Sequence, residues 1–301
     1  MRKNTEVHQS DGNQLTLFND LNIDRRQMQE ALERLDFTEA QRMADRIALE
    51  WPGACLEWEL DLLDLARAFG RTRIGLDAGY ALWQEFASKP LFRKIPAYSR
   101  DRLQQSYFFR LLAVNRSLFD WSRTAGGLSI GEFHLLAGQV RSARRFFDRE
   151  IREFGDSWPL RLKLGNCYVA LGDLKGANAN YRQAHLQGLH DEAFPDIADL
   201  ELREFLHAAE QPEWAFCEAC VEGLVAAPRF DDRQSVEAFV EEHLQRGRES
   251  KAPQRFCACW IVSENKIICS DPLLVQVRKE MTSLHPGLQS RYMRRLSDRE
   301  A

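Results

Sequence analysis

The chain has 301 residues, 44% hydrophobic and 29% charged, and its 41 Lys and Arg against 45 Asp and Glu leave a net charge of −4. A sizeable core can be buried at this length, which excludes wholesale disorder. The near-even charge lacks the basic footprint of a dedicated nucleic-acid binder, so direct nucleic-acid binding is not expected.

The start, MRKNTEVHQSDGNQ, is polar and has no apolar stretch behind its basic residues. No secretory leader is expected, and residues 1–20 read as a flexible tail. From Asn22 onward nearly every segment reads as helix. Asp24 offers an N-cap to a stripe of Met28, Ala31, Leu32 and Leu35. Ala40, Met43, Ala44, Ile47 and Ala48 form a second stripe, closed by Trp51-Pro52-Gly53. Further helices are expected over 56–69, 75–88 and 98–122, with a turn at Gly126-Gly127. Beyond 191, helices are expected over 196–208, 213–226, 234–247, 254–266, 271–284 and 286–297. Glycine (17) and proline (10) are sparse, and no window alternates with period two between hairpin turns, so no sheet is expected. No uncharged apolar run reaches the roughly 18 residues of a membrane span.

The stretch 124–191 matches itself when slid along the chain. Gly131 falls on Gly165, Gly138 on Gly172, Ala143 on Ala177 and Phe147 on Tyr181. A period of about 34 residues signals stacked helix-turn-helix units. The logic is steric. A small residue in the first helix (Gly165) lets the second helix approach, another (Ala177) sits at the crossing, and a large aromatic (Tyr181) fills the gap toward the next unit. Gly172-Asp173 ends the first helix in the manner of a left-handed C-terminal cap.

The segment WPLRLKLGNCYVALGDLKGANANYRQAHLQ resembles a tetratricopeptide repeat. Leu164-Gly165, Tyr168, Gly172-Asp173, Ala177, Tyr181 and Ala184 meet the family pattern, whereas Leu189 stands where a closing proline is usual. The resemblance implies an all-α right-handed solenoid of antiparallel helical hairpins. Repeats would occupy 21–191, and 192–301 would form divergent repeats or a C-terminal helical cap. Packing positions would be Gly131, Ala143, Phe147, Gly165, Tyr168, Ala177 and Tyr181. The family's concave face would include Glu132, Leu135, Leu162, Asn166 and Val169, and would hold a protein partner. The basic and amide clamp of chaperone-binding relatives is not reproduced, because Leu162 and Glu132 stand at two of its positions.

In the tail, Gln14-Leu15-Thr16-Leu17-Phe18 resembles the bacterial sliding-clamp binding motif. There the Gln contacts the pocket rim, and Leu15, Leu17 and Phe18 would supply the apolar anchors. The same three side chains could instead staple the tail onto the first helix pair. The motif implies a second role, as a replication, repair or genome-defence accessory tethered to the clamp.

The seven cysteines are Cys55, Cys167, Cys217, Cys220, Cys257, Cys259 and Cys269. Cys217-x-x-Cys220 and Cys257-x-Cys259 lie in apolar helix, where cysteine packs as a small hydrophobe. Buried thiols in a reducing cytoplasm are expected, with no metal and no cofactor. None of the seven histidines lies in a recognisable metal or hydrolase motif, and no phosphate loop, nucleophile elbow or zincin motif occurs. A non-enzymatic adaptor is therefore expected. Arg141, Arg144, Arg145, Arg149 and Arg152 read as a salt-bridged face. Arg291, Arg294, Arg295 and Arg299 make a basic C-terminal helix open to phosphate contact.

Overall fold

The computed structural model describes residues 11–52, 54, 63–64, 74–116, 128–246 and 250–300, with the side chains of 11–19, 91, 246 and 300 outside the description. Among these residues 79% are helical and no strand occurs. No described helix is long and apolar enough to cross a membrane. The chain divides into two compact units, Met1–Gln139 and Val140–Ala301.

The first unit contains α1 (Asp11–Glu33), α2 (Phe37–Glu50), α3 (Leu76–Ser88), a 3-10 turn Pro90–Lys94, α4 (Ala97–Asn115) and α5 (Ile130–Leu136). The expected 56–69 helix lies outside the described residues, apart from Leu63 and Asp64, which are helical. The backbone of 11–20 differs from the expected flexible tail, since it forms the first turns of α1. Leu17 and Phe18 precede Leu21 by four and three residues, so the helical period runs back through the motif.

The α1 and α2 faces meet through Met28, Leu32, Ala40, Met43 and Ile47, all buried. Buried Asp24 receives Arg46 at 3.4 Å across the pair. The turn between them places Leu35 at φ +58, a left-handed conformation that disfavours a leucine. Its buried side chain and the Arg110 Nη1 bond to its carbonyl (3.2 Å) hold it there. Aromatic rings join the later helices: Trp83 lies 5.1 Å from Tyr107 and 5.6 Å from Phe108, and Phe133 lies 5.9 Å from Phe108. Gly79 is required here, because a Cβ on it would sit 2.5 Å from Leu111 Cδ1. The Tyr107 hydroxyl donates to the Gly79 carbonyl at 2.7 Å.

The second unit contains α6 (Val140–Phe154), α7 (Trp158–Ala170), α8 (Leu174–Leu186), a 3-10 segment Asp191–Asp196, α9 (Leu200–Ala208), a 3-10 turn Pro212–Trp214, α10 (Ala215–Glu222), α11 (Arg233–Val240), a π-helical segment Glu241–Arg246, α12 (Ala252–Glu264), α13 (Asp271–Leu284) and α14 (Pro286–Glu300). The closest pair is α7 with α8. Their turn has Gly172 at φ +76, and Asp173 caps α8 by accepting from Gly176 N at 2.8 Å. Helix α12 is the centre of this unit: it packs on α8, α10, α11 and α13, and every residue from Phe256 to Ser263 is buried. Ser263 Oγ accepts Arg278 Nε at 3.2 Å and lies 3.2 Å from the Tyr292 hydroxyl, tying α13 and α14 to it. The expected boundary at 191 is not where the chain divides. The reason is that α8 and α12 share one core, in which Tyr181, Phe216 and Phe256 are fully buried.

Candidate functional site

The sequence assigns the partner-binding face to α7, and the structure shows what that face touches. Trp158, Leu162, Asn166 and Val169 follow one another at helical spacing along α7. The segment 188–198 after α8 meets this stripe. The His190 ring meets Trp158 edge-on at 5.0 Å. Asn166 Nδ2 donates to the Asp196 carbonyl at 2.7 Å, and its Oδ1 accepts Ala198 N at 2.9 Å and the Tyr181 hydroxyl at 2.7 Å. Leu162 is 5% exposed, and Val169 packs against the core. Asn166 is thus a structural clamp whose polar groups are used within the chain, and Ala193 and Phe194 of that segment are themselves buried.

Glu132 and Leu135 belong to the first unit. Glu132 closes a capping box at the start of α5: its carboxylate accepts Ser129 N at 2.8 Å while its own N–H donates to Ser129 Oγ. Leu135 is half-buried. Of these five positions, Asn166 and Glu132 have side-chain hydrogen bonds within the chain, Leu162 is buried, and Leu135 and Val169 are half-buried.

Gly131, Ala143, Phe147, Gly165, Ala177 and Tyr181 are buried. A Cβ on Gly165 would meet Tyr181 Cε1 at 2.5 Å. The Tyr168 ring is covered by Arg144, whose guanidinium carbon is 5.6 Å from its centroid.

A surface that sequence reasoning passed over lies on α4 of the first unit. Its inward stripe, Leu103, Tyr107 and Leu111, is buried. Its outward stripe is Tyr98, Arg102, Gln105, Phe109 and Ala113, again at helical spacing and all exposed. Tyr98 is 66% and Phe109 54% exposed. Arg102 lies over the Tyr98 ring at 5.0 Å and pairs with buried Glu33 at 3.3 Å, so the aromatic–basic edge is held in place. Beside Phe109, a groove of about 500 Å³ runs between α4, Leu35 and Ala137, rimmed by Arg34 and Arg110. The signal was in the sequence: Tyr98 and Phe109 are out of phase with Leu103, Tyr107 and Leu111.

Cys167, Cys217, Cys220, Cys257 and Cys259 are buried, and Cys269 is partly so. Burial pushes the Cys217 and Cys220 thiols well up, and drives Cys167 up to about 12. Cys217 Sγ donates to the Pro253 carbonyl at 3.1 Å and lies 3.6 Å from His185 Nε2. Cys55 lies outside the described residues. Among the described residues no three His, Cys, Asp or Glu side chains are placed to hold a metal ion. Thiols of this kind should stay inert. Elemental analysis should find no stoichiometric zinc, and about one zinc per chain, lost in Cys217→Ser, would overturn this account of the cysteines.

The basic helices are largely engaged within the protein. Arg149 pairs with Glu153 at 2.6 Å. On α14, Arg291 reaches Glu218 at 3.2 Å, Arg295 reaches Glu222 at 3.5 Å and the Val221 carbonyl at 2.7 Å, and Arg299 reaches Glu264 at 3.4 Å. Their spacing of four residues staples α14 onto the unit.

No family model, curated protein or solved structure matches this chain.

Proposed function

We propose that the protein is a cytoplasmic, non-enzymatic interaction scaffold of helical-repeat architecture, and that it receives a protein partner on the outward stripe of α4. The observation that carries the surface is a helix face with two exposed aromatics, Tyr98 under Arg102 and Phe109 at a groove that Arg110 also lines. Tyr and Arg of this kind dominate the binding energy of protein interfaces. The repeat reading rests on the sequence pattern of the α7–α8 pair, and the close Gly165–Tyr181 approach is compatible with it. Trp158 and Asn166 of the α7 face are engaged by the chain's own 190–198 segment, which favours α4 as the docking surface. The tagged full chain should recover a partner from cells of the source organism that Tyr98→Ala/Phe109→Ala loses, with both proteins melting alike. Equal recovery by both would exclude the α4 surface.

A second role rests on Gln14-Leu15-Thr16-Leu17-Phe18, read as an address for a bacterial sliding clamp. Helix α1 would have to unwind over this stretch to enter the clamp pockets as an extended peptide, so micromolar affinity is expected. Alanine at Leu17 and Phe18 should abolish binding of the isolated 1–20 peptide in a calorimetric titration. Heat from the doubly substituted peptide equal to that of the natural one would dismiss this role.

A further inference from the structure

The stretch 89–116, made of the Pro90–Lys94 turn and α4, holds seven Lys and Arg against one Asp, in a chain whose net charge is −4. Lys89, Arg93, Lys94, Arg102, Arg110 and Arg116 are exposed. The charge flanks apolar surface. Helical spacing puts Tyr98, Arg102, Phe109 and Arg116 on one face of α4. The groove beside Phe109 is lined by Leu35, Ala113 and Ala137 together with Arg34 and Arg110.

No carboxylate is among the described residues that line this groove. Glu33 offsets Arg102, and Glu39 is held by Arg42 at 2.7 Å. Arg110 is set in place: its Nη1 donates to the Leu35 carbonyl at 3.2 Å, and its guanidinium lies 5.5 Å from the centre of the Phe37 ring. An arginine already held in one rotamer loses less entropy on meeting a carboxylate.

We infer that the partner received on α4 is a protein segment with net negative charge and an aliphatic or aromatic anchor, which rests on α4 being the docking surface. The anchor enters the groove beside Phe109, and flanking carboxylates meet Arg34, Arg110 and Arg116. Complementary charge of this kind sets partner choice and association rate more than affinity. Single-stranded nucleic acid is the other polyanion that exposed aromatics and arginines can hold. The aliphatic recess favours a peptide, since bases need only ring faces to stack on, and the chain's negative net charge opposes a long polyanion.

A displayed library of random peptides of roughly 16 residues, selected against the full chain, is a suitable probe. Enriched peptides should be acidic, carry at least one Leu, Ile, Phe or Trp, and resist displacement by oligothymidylate. Their binding should weaken by at least about tenfold in Arg34→Glu/Arg116→Glu and in Phe109→Ala. It should stay unchanged in Arg145→Glu/Arg152→Glu, which makes the same charge change at exposed positions of α6. All of these positions are exposed, so the variants should melt like the natural protein. No enrichment, equal binding to both charge-reversed variants, or displacement by oligothymidylate would overturn the inference. Neutral or basic peptides that Phe109→Ala loses would overturn it while leaving α4 as the docking surface. Peptides that bind Phe109→Ala as well as the natural chain would overturn both.

Discussion

Gly165→Ala and Ala177→Leu should each lower the stability of the second unit by about 1–3 kcal/mol, because both push extra carbon into a filled helix crossing. The Gly165 Cβ would lie 2.5 Å from Tyr181 Cε1 and 2.7 Å from Cδ1. Tyr181 has little room to yield, since it is fully buried and its hydroxyl is held by Asn166. Helix propensity favours Ala over Gly by roughly 1 kcal/mol, so a net loss at Gly165 would show that the clash dominates. Shortening the opposing ring should recover part of that loss. Gly165→Ala/Tyr181→Leu is therefore expected to be less destabilised than the sum of the single changes, as touching residues are non-additive. Gly75→Ala is the control, with an ordinary φ of −66 and nothing within 4 Å of its added Cβ. Chemical unfolding that finds Gly165→Ala no worse than Gly75→Ala would remove the repeat packing from the account.

Acid should weaken the fold through His185. The ring is enclosed in the second unit's core and stacked on Phe216 at 4.5 Å, and its Nδ1 has no hydrogen-bond partner among the described residues. Burial brings it down to about 4, a drop that the Pro253 carbonyl opposes. The folded form therefore binds fewer protons than the unfolded chain between the unfolded value of about 6.5 and that folded value. Stability is complete above about pH 6.5 and falls as pH drops through this window, by roughly 3 kcal/mol at its lower end. His134 and His243 are also lowered by burial and act in the same direction. Unfolding free energies at pH 7.5 and 4.5 should differ by less in His185→Leu than in the natural chain. The same difference in both would show that His185 does not set the acid response.

Much of the helical layout can be read from spacing. The offset that sets Gly131 on Gly165 and Phe147 on Tyr181 leads to residues that are buried. The stripes of Met28–Leu32 and Ala40–Ile47 lead to the α1–α2 contact. Periodicity speaks for one helix at a time, so it could not foresee that His190, Asp196 and Ala198 turn back onto α7. Asn166 looked free because its three partners, Tyr181, Asp196 and Ala198, are 15, 30 and 32 residues away. The polar composition of the first 20 residues hid a period that links Leu17 and Phe18 to Leu21. The α4 stripe was legible as two phases of apolar residues on one helix, but only burial tells which phase faces outward. Cys217, Cys220, Cys257 and Cys259 were readable as core, since apolar neighbours surround them in sequence as they do in space.

The scaffold reading is tested most directly by where a partner touches the first unit. A photo-crosslinking amino acid placed at Phe109 should join the full chain to a discrete partner in cells of the source organism. The same group at Leu49, on α2 and 82% exposed, should not. Crosslinks of equal yield and identity from both positions, or none from Phe109, would contradict a partner docked on α4.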